Sequence, residues 1–126
     1  MRSRGSLSAM VVCLVPSLFT LAALSIDGGR MVVAYQRASD AAASAARDGA
    51  QEIVGILDGH PHINERRASE VARGRIEQLG YEGSASASPT SVRVTVARRV
   101  HLPLLALIGL GDRRVVVTRD VDVVFG

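Results

Sequence analysis

Between Leu7 and Ile26 lie 20 consecutive residues among which only the Cys13 thiol can ionise. Their apolar side chains surround the helix axis instead of forming one stripe, and at 1.5 Å per residue they reach about 30 Å, the thickness of bilayer hydrocarbon. The pattern predicts a transmembrane helix over 7–26. Pro16 removes one backbone donor within it, a defect that membrane helices tolerate better than soluble ones. Arg2 and Arg4 precede the run, Asp27 closes it and Arg30 follows one turn later. Arg4, Asp27 and Arg30 therefore mark the expected membrane boundaries. The positive-inside bias leaves residues 1–6 as a cytoplasmic leader and sends 27–126 outward as an extracytoplasmic domain.

Beyond Asp27 the pattern narrows to one face. Met31, Ala34, Tyr35, Ala38, Ala41, Ala42, Ala45, Ala46, Gly49, Ile53, Val54 and Leu57 recur at three- and four-residue steps, opposite Arg37, Asp40, Arg47 and Asp48. This predicts an amphipathic helix with an Ala-rich stripe, and a bend where Gly28 and Gly29 weaken it. Small side chains let another backbone approach closely. Tyr35, Ala38, Ala42, Ala45 and Gly49 are thus the candidate face for a partner subunit, with packing on the chain's own domain the equally open alternative. Asp58-Gly59-His60-Pro61-His62 breaks the helix, Asn64 is placed to cap a second helix to Leu79, and Gly80 ends that one.

After a Gly-, Ser- and Ala-rich stretch from Gly80 to Ser91, expected to be a loop, the period changes to two. Val92, Val94, Val96 and Val100 alternate with polar residues, as do Val115, Val117, Val121 and Val123. Two antiparallel strands follow, and a shared apolar face pairs even positions of the first with odd positions of the second. Arg93 then stands opposite Asp120 or Asp122. The intervening Leu102–Gly111 segment is too short to span a bilayer and too apolar for an ordinary hairpin loop. Capping the small core is the default expectation, with contact to lipid or a partner as alternatives. The fold class is α+β: a membrane helix running into an Ala-rich helix, a short second helix, and a C-terminal hairpin or small sheet.

Composition removes several functions. The chain has 15 Arg and no Lys; the 13 Arg after the span face 12 carboxylates, so the outer domain carries no net basic footprint for nucleic acid. Two Tyr, two Phe and no Trp leave little for stacking bases. Cys13 is the only cysteine, which excludes an intramolecular disulfide and reads as a small apolar thiol. His60 and His62 are only a fragment of a metal site and read as an exposed turn. Asp120 and Asp122 project from one strand face about 7 Å apart, within the range of catalytic carboxylate pairs. No nucleophile or platform gathers round them, so they read as partners for arginine. The sequence therefore predicts no catalytic residue, metal, cofactor or small-molecule substrate.

The order of parts resembles the TadE/TadG-like pseudopilins of the bacterial tight-adherence (Flp) pilus machinery. The resemblance rests on Arg4-Gly5-Ser6, Pro16 within the apolar run, Asp27-Gly28-Gly29-Arg30, Tyr35-Gln36-Arg37 and Ala45-Ala46-Arg47-Asp48-Gly49-Ala50. It implies a pilin-like, non-enzymatic membrane protein whose partners are lipid, other pilus subunits and an assembly platform. It also implies prepilin processing between Gly5 and Ser6. The fifth position after that cut is Met10, where pilins carry a Glu that pairs with a neighbour's N-terminal amine. The alternative is a secreted binding module, released by signal peptidase after Ser25 in Ala23-Leu24-Ser25.

Overall fold

The computed structural model describes residues 2–125; Met1 of the expected leader lies outside them. Helix α1 (Arg2–Ala50) is continuous through the apolar run and into the outer domain. Gly28 and Gly29 do not interrupt the helix, and a Cβ at either would meet nothing within 4 Å. Pro16 is accommodated as well. The hydroxyls of Ser17 and Thr20 donate to the carbonyls of Cys13 and Pro16 at 2.7 and 2.8 Å, returning the polar groups around it to the helix's own backbone.

The helix stops at Ala50, seven residues short of the predicted Leu57. Ile53–Val54 forms strand β1, which pairs with β2 (His62–Ile63), so Ile53, Val54 and Leu57 leave the helical stripe. The β-branched pair Ile53-Val54 suits an extended conformation, and the chain must reverse here to bring Ile63 into the core at 0% exposure. Helix α2 (Glu65–Gln78) follows the predicted punctuation. Asn64 Oδ1 accepts from the Arg67 N–H at 3.2 Å. Gly80, at φ 78°, closes a Schellman turn in which Gly80 and Tyr81 N–H groups donate to the Glu77 and Ile76 carbonyls.

The main sheet has the order β3-β4-β5, with β3 at Glu82–Ala87, β4 at Ser91–His101 and β5 at Asp112–Asp122. Strand β3 occupies the stretch expected to be a loop. Its Ser and Ala residues give too weak an apolar signal to be read as a strand, yet Ala85 and Ala87 pack against the core. The β4–β5 register follows the even-to-odd rule, with Val92 opposite Val121 and Val96 opposite Val117.

The core lies between α1, α2 and the inner face of the sheet. Ala38, Ala42, Ala45 and Ala46 meet Ala68, Ala72 and Ile76 of α2 and Val92, Val94, Val96, Val115 and Val117 of the sheet. Close approach substitutes here for large side chains. Two ion pairs join α2 to the end of α1 and the segment just after it, Arg75–Asp48 and Arg67–Glu52, each at 3.3 Å. A Cβ on Gly49 would stand 2.8 Å from the Ala68 carbonyl oxygen and 3.3 Å from Val92 Cγ1. Replacing Gly49 with Ala is therefore expected to destabilise the domain by about 1–3 kcal/mol despite the better helix propensity. Gly28→Ala, in open space, should stabilise it by about 0.5–1 kcal/mol. Denaturant melts of the detergent-solubilised full chain measure both, and equal shifts of one sign would contradict the packing described.

Candidate functional site: the membrane-proximal end of the domain

Along the apolar run the side chains have no protein neighbours. Leu7, Met10, Val11, Val12, Leu14, Val15, Leu18, Phe19, Leu21, Leu24 and Ile26 are all exposed. The most apolar window reaches a mean hydropathy of 2.3, long and apolar enough to cross a membrane. A surface of this kind is unstable in water and calls for an apolar environment.

Two residues interrupt the exposure. Ala23 and Asp27 lie four residues apart on one face of α1 and are buried at 5% and 0%. What reaches this level of the helix is the β4–β5 connection, a 3-10 turn at Leu105–Ile108. The Leu105 N–H donates to Asp27 Oδ2 at 2.7 Å, while Asp27 Oδ1 has no partner among the described residues. The expected boundary residue is thus the anchor of a loop that comes back from the end of the sheet. A buried carboxylate that accepts an otherwise unpaired amide fixes that loop's position.

The loop itself departs from the default expectation of core packing. Leu102 is buried, whereas Leu107, Ile108 and Leu110 face outward, Leu107 at 72% exposure. A four-residue turn at Leu105–Ile108 buries none of its own side chains. They lie beside the last turn of the apolar run and extend its surface sideways.

Next to this loop is a cleft of about 580 Å³ between α1 and the end of β4. Strand β3 pairs with β4 only as far as Ala97, so Arg98–His101 has no strand on that side and α1 stands across a gap. Ile26, Val33, Ala34, Val100 and Val115 give the cleft its apolar lining, and Arg30, Arg37, Arg98, Arg99 and His101 its charge. The Arg98 guanidinium stacks over Tyr81, 5.3 Å from the ring centroid. Arg30 thus keeps its boundary position and also faces this cleft. The other basic residues were not singled out in the sequence. Their signal was the β-register, which sets Arg99 directly opposite Arg114.

The remaining sequence candidates are placed as follows. Gly5 and Ser6 lie within the first turns of α1, and a Cβ on Gly5 would meet nothing within 4 Å. Arg4 is exposed on the same turns. Ala38, Ala42, Ala45 and Gly49 are buried against α2 and the sheet of the same chain, so that face is closed to a partner. Tyr35 alone of the stripe is half exposed. His60 and His62 turn their Nδ1 atoms to the Asp58 and His60 carbonyls, each at 2.9 Å. Among the described residues no cluster of three metal-ligating side chains forms. Asp120 is engaged by Arg93 through two hydrogen bonds, 2.7 and 3.1 Å, across the strand pair predicted for it.

Residues 5–52 match the family model described as putative Flp pilus-assembly TadE/G-like. The match covers the apolar run and the Ala-rich half of α1, and the cleft-lining residues of β4 lie beyond it. Curated proteins and solved structures give no match.

Two measurements check this geometry. Asp27→Ala removes the acceptor of the Leu105 amide and should speed hydrogen exchange across 102–111 about tenfold or more, with Asp27→Asn, which keeps one acceptor oxygen, causing less. Exchange unchanged in both variants would contradict the anchor. The second concerns Asp120, whose carboxyl is held below its ordinary 3.8 by the Arg93 hydrogen bond first and the guanidinium charge after it. A depressed folded-state value means the pair's contribution is present above about pH 4 and is lost as pH falls through the lowered midpoint. The Asp120 carboxyl carbon should titrate below 3.8 by NMR and return towards it in Arg93→Gln; an unshifted midpoint in the parent chain would contradict the pairing.

Proposed function

We propose that this chain is a non-enzymatic, single-pass component of a tight-adherence type pilus or secretion assembly, resembling a minor pseudopilin. The observation that carries the reading is the coincidence of the TadE/G-like match over 5–52 with a helix whose apolar half is bare and whose Ala-rich half is core. One rigid helix then links membrane to domain. Residues 1–6 form the cytoplasmic leader, 7–26 the span and 27–126 the extracytoplasmic domain, an orientation supported by Arg2 and Arg4 before the run and none within it.

Lipid is the first partner. The outward-facing Leu107, Ile108 and Leu110, held by Asp27, extend the span's apolar surface at the outer interface. Pilus subunits are the second. With the Ala-rich stripe filled from within, Ile56 and Leu57, in the β1–β2 turn just past the end of α1, are among the exposed aliphatics available to them. Leu57 is fully exposed. The helix also runs unbroken through Ser25, whose hydroxyl donates to the Leu21 carbonyl at 2.9 Å. This supports a retained span over release after Ser25, since a peptidase must draw its substrate out of helical form.

Labelling tests both anchorage and orientation. In a Cys13→Ala, Leu57→Cys chain, a membrane-impermeant maleimide should label intact cells, while the protein stays with membranes through an alkaline wash. Labelling only after lysis would reverse the orientation. Release by the wash, with a mature N-terminus at Ile26, would favour the secreted module.

A further inference from the structure

We propose that the cleft between α1 and the end of β4 binds the phosphodiester headgroup of an anionic phospholipid from the membrane that holds the span. The inference rests on the membrane reading above. The nearly neutral outer domain is not neutral locally. Its membrane-proximal end gathers Arg30, Arg37, Arg98, Arg99, Arg113 and Arg114, against Asp27, Glu82 and Asp112. The seven remaining arginines of the domain face nine carboxylates, four of which hold Arg66, Arg67, Arg75 and Arg93 in ion pairs. At the proximal end no such pairing occurs: among the described residues, none of Arg30, Arg37, Arg98 and Arg99 has a carboxylate within 4.0 Å.

The like charges are also set against one another. Arg99 stands opposite Arg114 across the strand pair, and both line a second hollow beside the first. A direct cross-strand pair of like charge destabilises a sheet, and Glu82, which lines the same hollow, offers one carboxylate to several guanidinium groups, so positive charge is left over for an anion outside the protein. Asp112, the nearest relief, is taken by His101 at 3.1 Å.

Shape and depth select the class of anion. The cleft opens from Ile26, the last residue of the apolar run, to Arg37, about 16 Å farther along the helix. Its lower end, at Ile26, is therefore level with the hydrocarbon boundary, and from Arg30 to Arg37 above it guanidinium groups able to bond phosphate oxygens two at a time alternate with aliphatic side chains. A molecule satisfying both has acyl chains below and a phosphodiester above. Free phosphate satisfies only the upper half. The volume suits one headgroup with its glycerol, and no carboxylate lines it.

The test uses the full chain in bilayers containing equal amounts of phosphatidylglycerol and phosphatidylcholine, gently extracted, with co-purifying lipid counted by mass spectrometry. One phosphatidylglycerol should be retained in preference to phosphatidylcholine. Arg30→Gln should lower that retention about fivefold, and Arg30→Gln with Arg99→Gln more than tenfold, from the attraction of each arginine for an anionic surface. Both side chains are exposed and unpaired, so melting of the double variant in lipid-free detergent should not fall. Arg66→Gln with Arg73→Gln changes the charge equally on the far helix and should leave retention unchanged. Equal retention of the two lipids, or equal loss in the far-helix control, would overturn the proposal. Displacement of the lipid by millimolar inorganic phosphate would also overturn it, by assigning the cleft to the free ion. Protection of the arginines that depends on protein concentration instead of lipid would give the cleft to another subunit. Should the chain leave membranes in an alkaline wash, anchorage and headgroup site fail together; a retained chain without bound phosphatidylglycerol sinks only the second.

Discussion

A single unbroken helix carries two unlike surfaces, suited to two solvents, and the structure follows from how it changes from one to the other. Up to Ile26 the helix shows exposed aliphatic side chains to its surroundings, with Ala23 alone covered; from Ala38 it shows methyl groups to its own domain. The changeover falls at Asp27, the one buried charged residue among the described residues. Burying a carboxylate is costly unless it is bonded, and here it accepts the amide of Leu105, 78 residues further along the chain. That contact fixes where the sheet's end sits relative to the span, and with it the apolar loop and the basic cleft on either side.

The domain above is small and has few large side chains. It gains stability from closeness, with Ala against Ala between the helices and Val against Ala between helix and sheet. Gly49 belongs to the same design, since backbone and side-chain atoms of α2 and β4 come within contact of where its Cβ would be. Ala-rich stripes invite the idea of subunit packing, and here the chain's own second helix and sheet have used the stripe. Exposed aliphatic side chains remain near both ends of the domain, Ile56 and Leu57 at one and Leu107 and Ile108 at the other.

Much of this was legible in the sequence where a local signal and a global role agree. Asn64 and Gly80 bracket α2 because an N-cap oxygen and a positive-φ residue are needed at those two points, whatever the fold. Arg93 opposite Asp120 or Asp122 followed from period and polarity, and the register selects Asp120. Strand β3 was not legible, since Ser84-Ala85-Ser86-Ala87 lacks the β-branched residues that mark a strand and pairs because β4 lies beside it. The helix end at Ala50 was hidden because Ile53 and Val54 continue the helical period while preferring an extended chain. The burial of Asp27 depends on a partner far off in sequence, which no window reveals. Arg99 against Arg114 was implicit in the register, whereas the cleft beside that pair exists only because α1 supplies its opposite wall.

The most direct test of the two-solvent account is a nitroxide scan along α1 from position 7 to 33 in the Cys13→Ala chain reconstituted in bilayers. Collision with oxygen, which dissolves in lipid, and with a water-soluble nickel complex is compared at each site. Oxygen should dominate through Ile26 and nickel from Gly28 onward, with the crossing at Asp27. Nickel access at every position from 7 upward would place the whole helix in water and contradict the account.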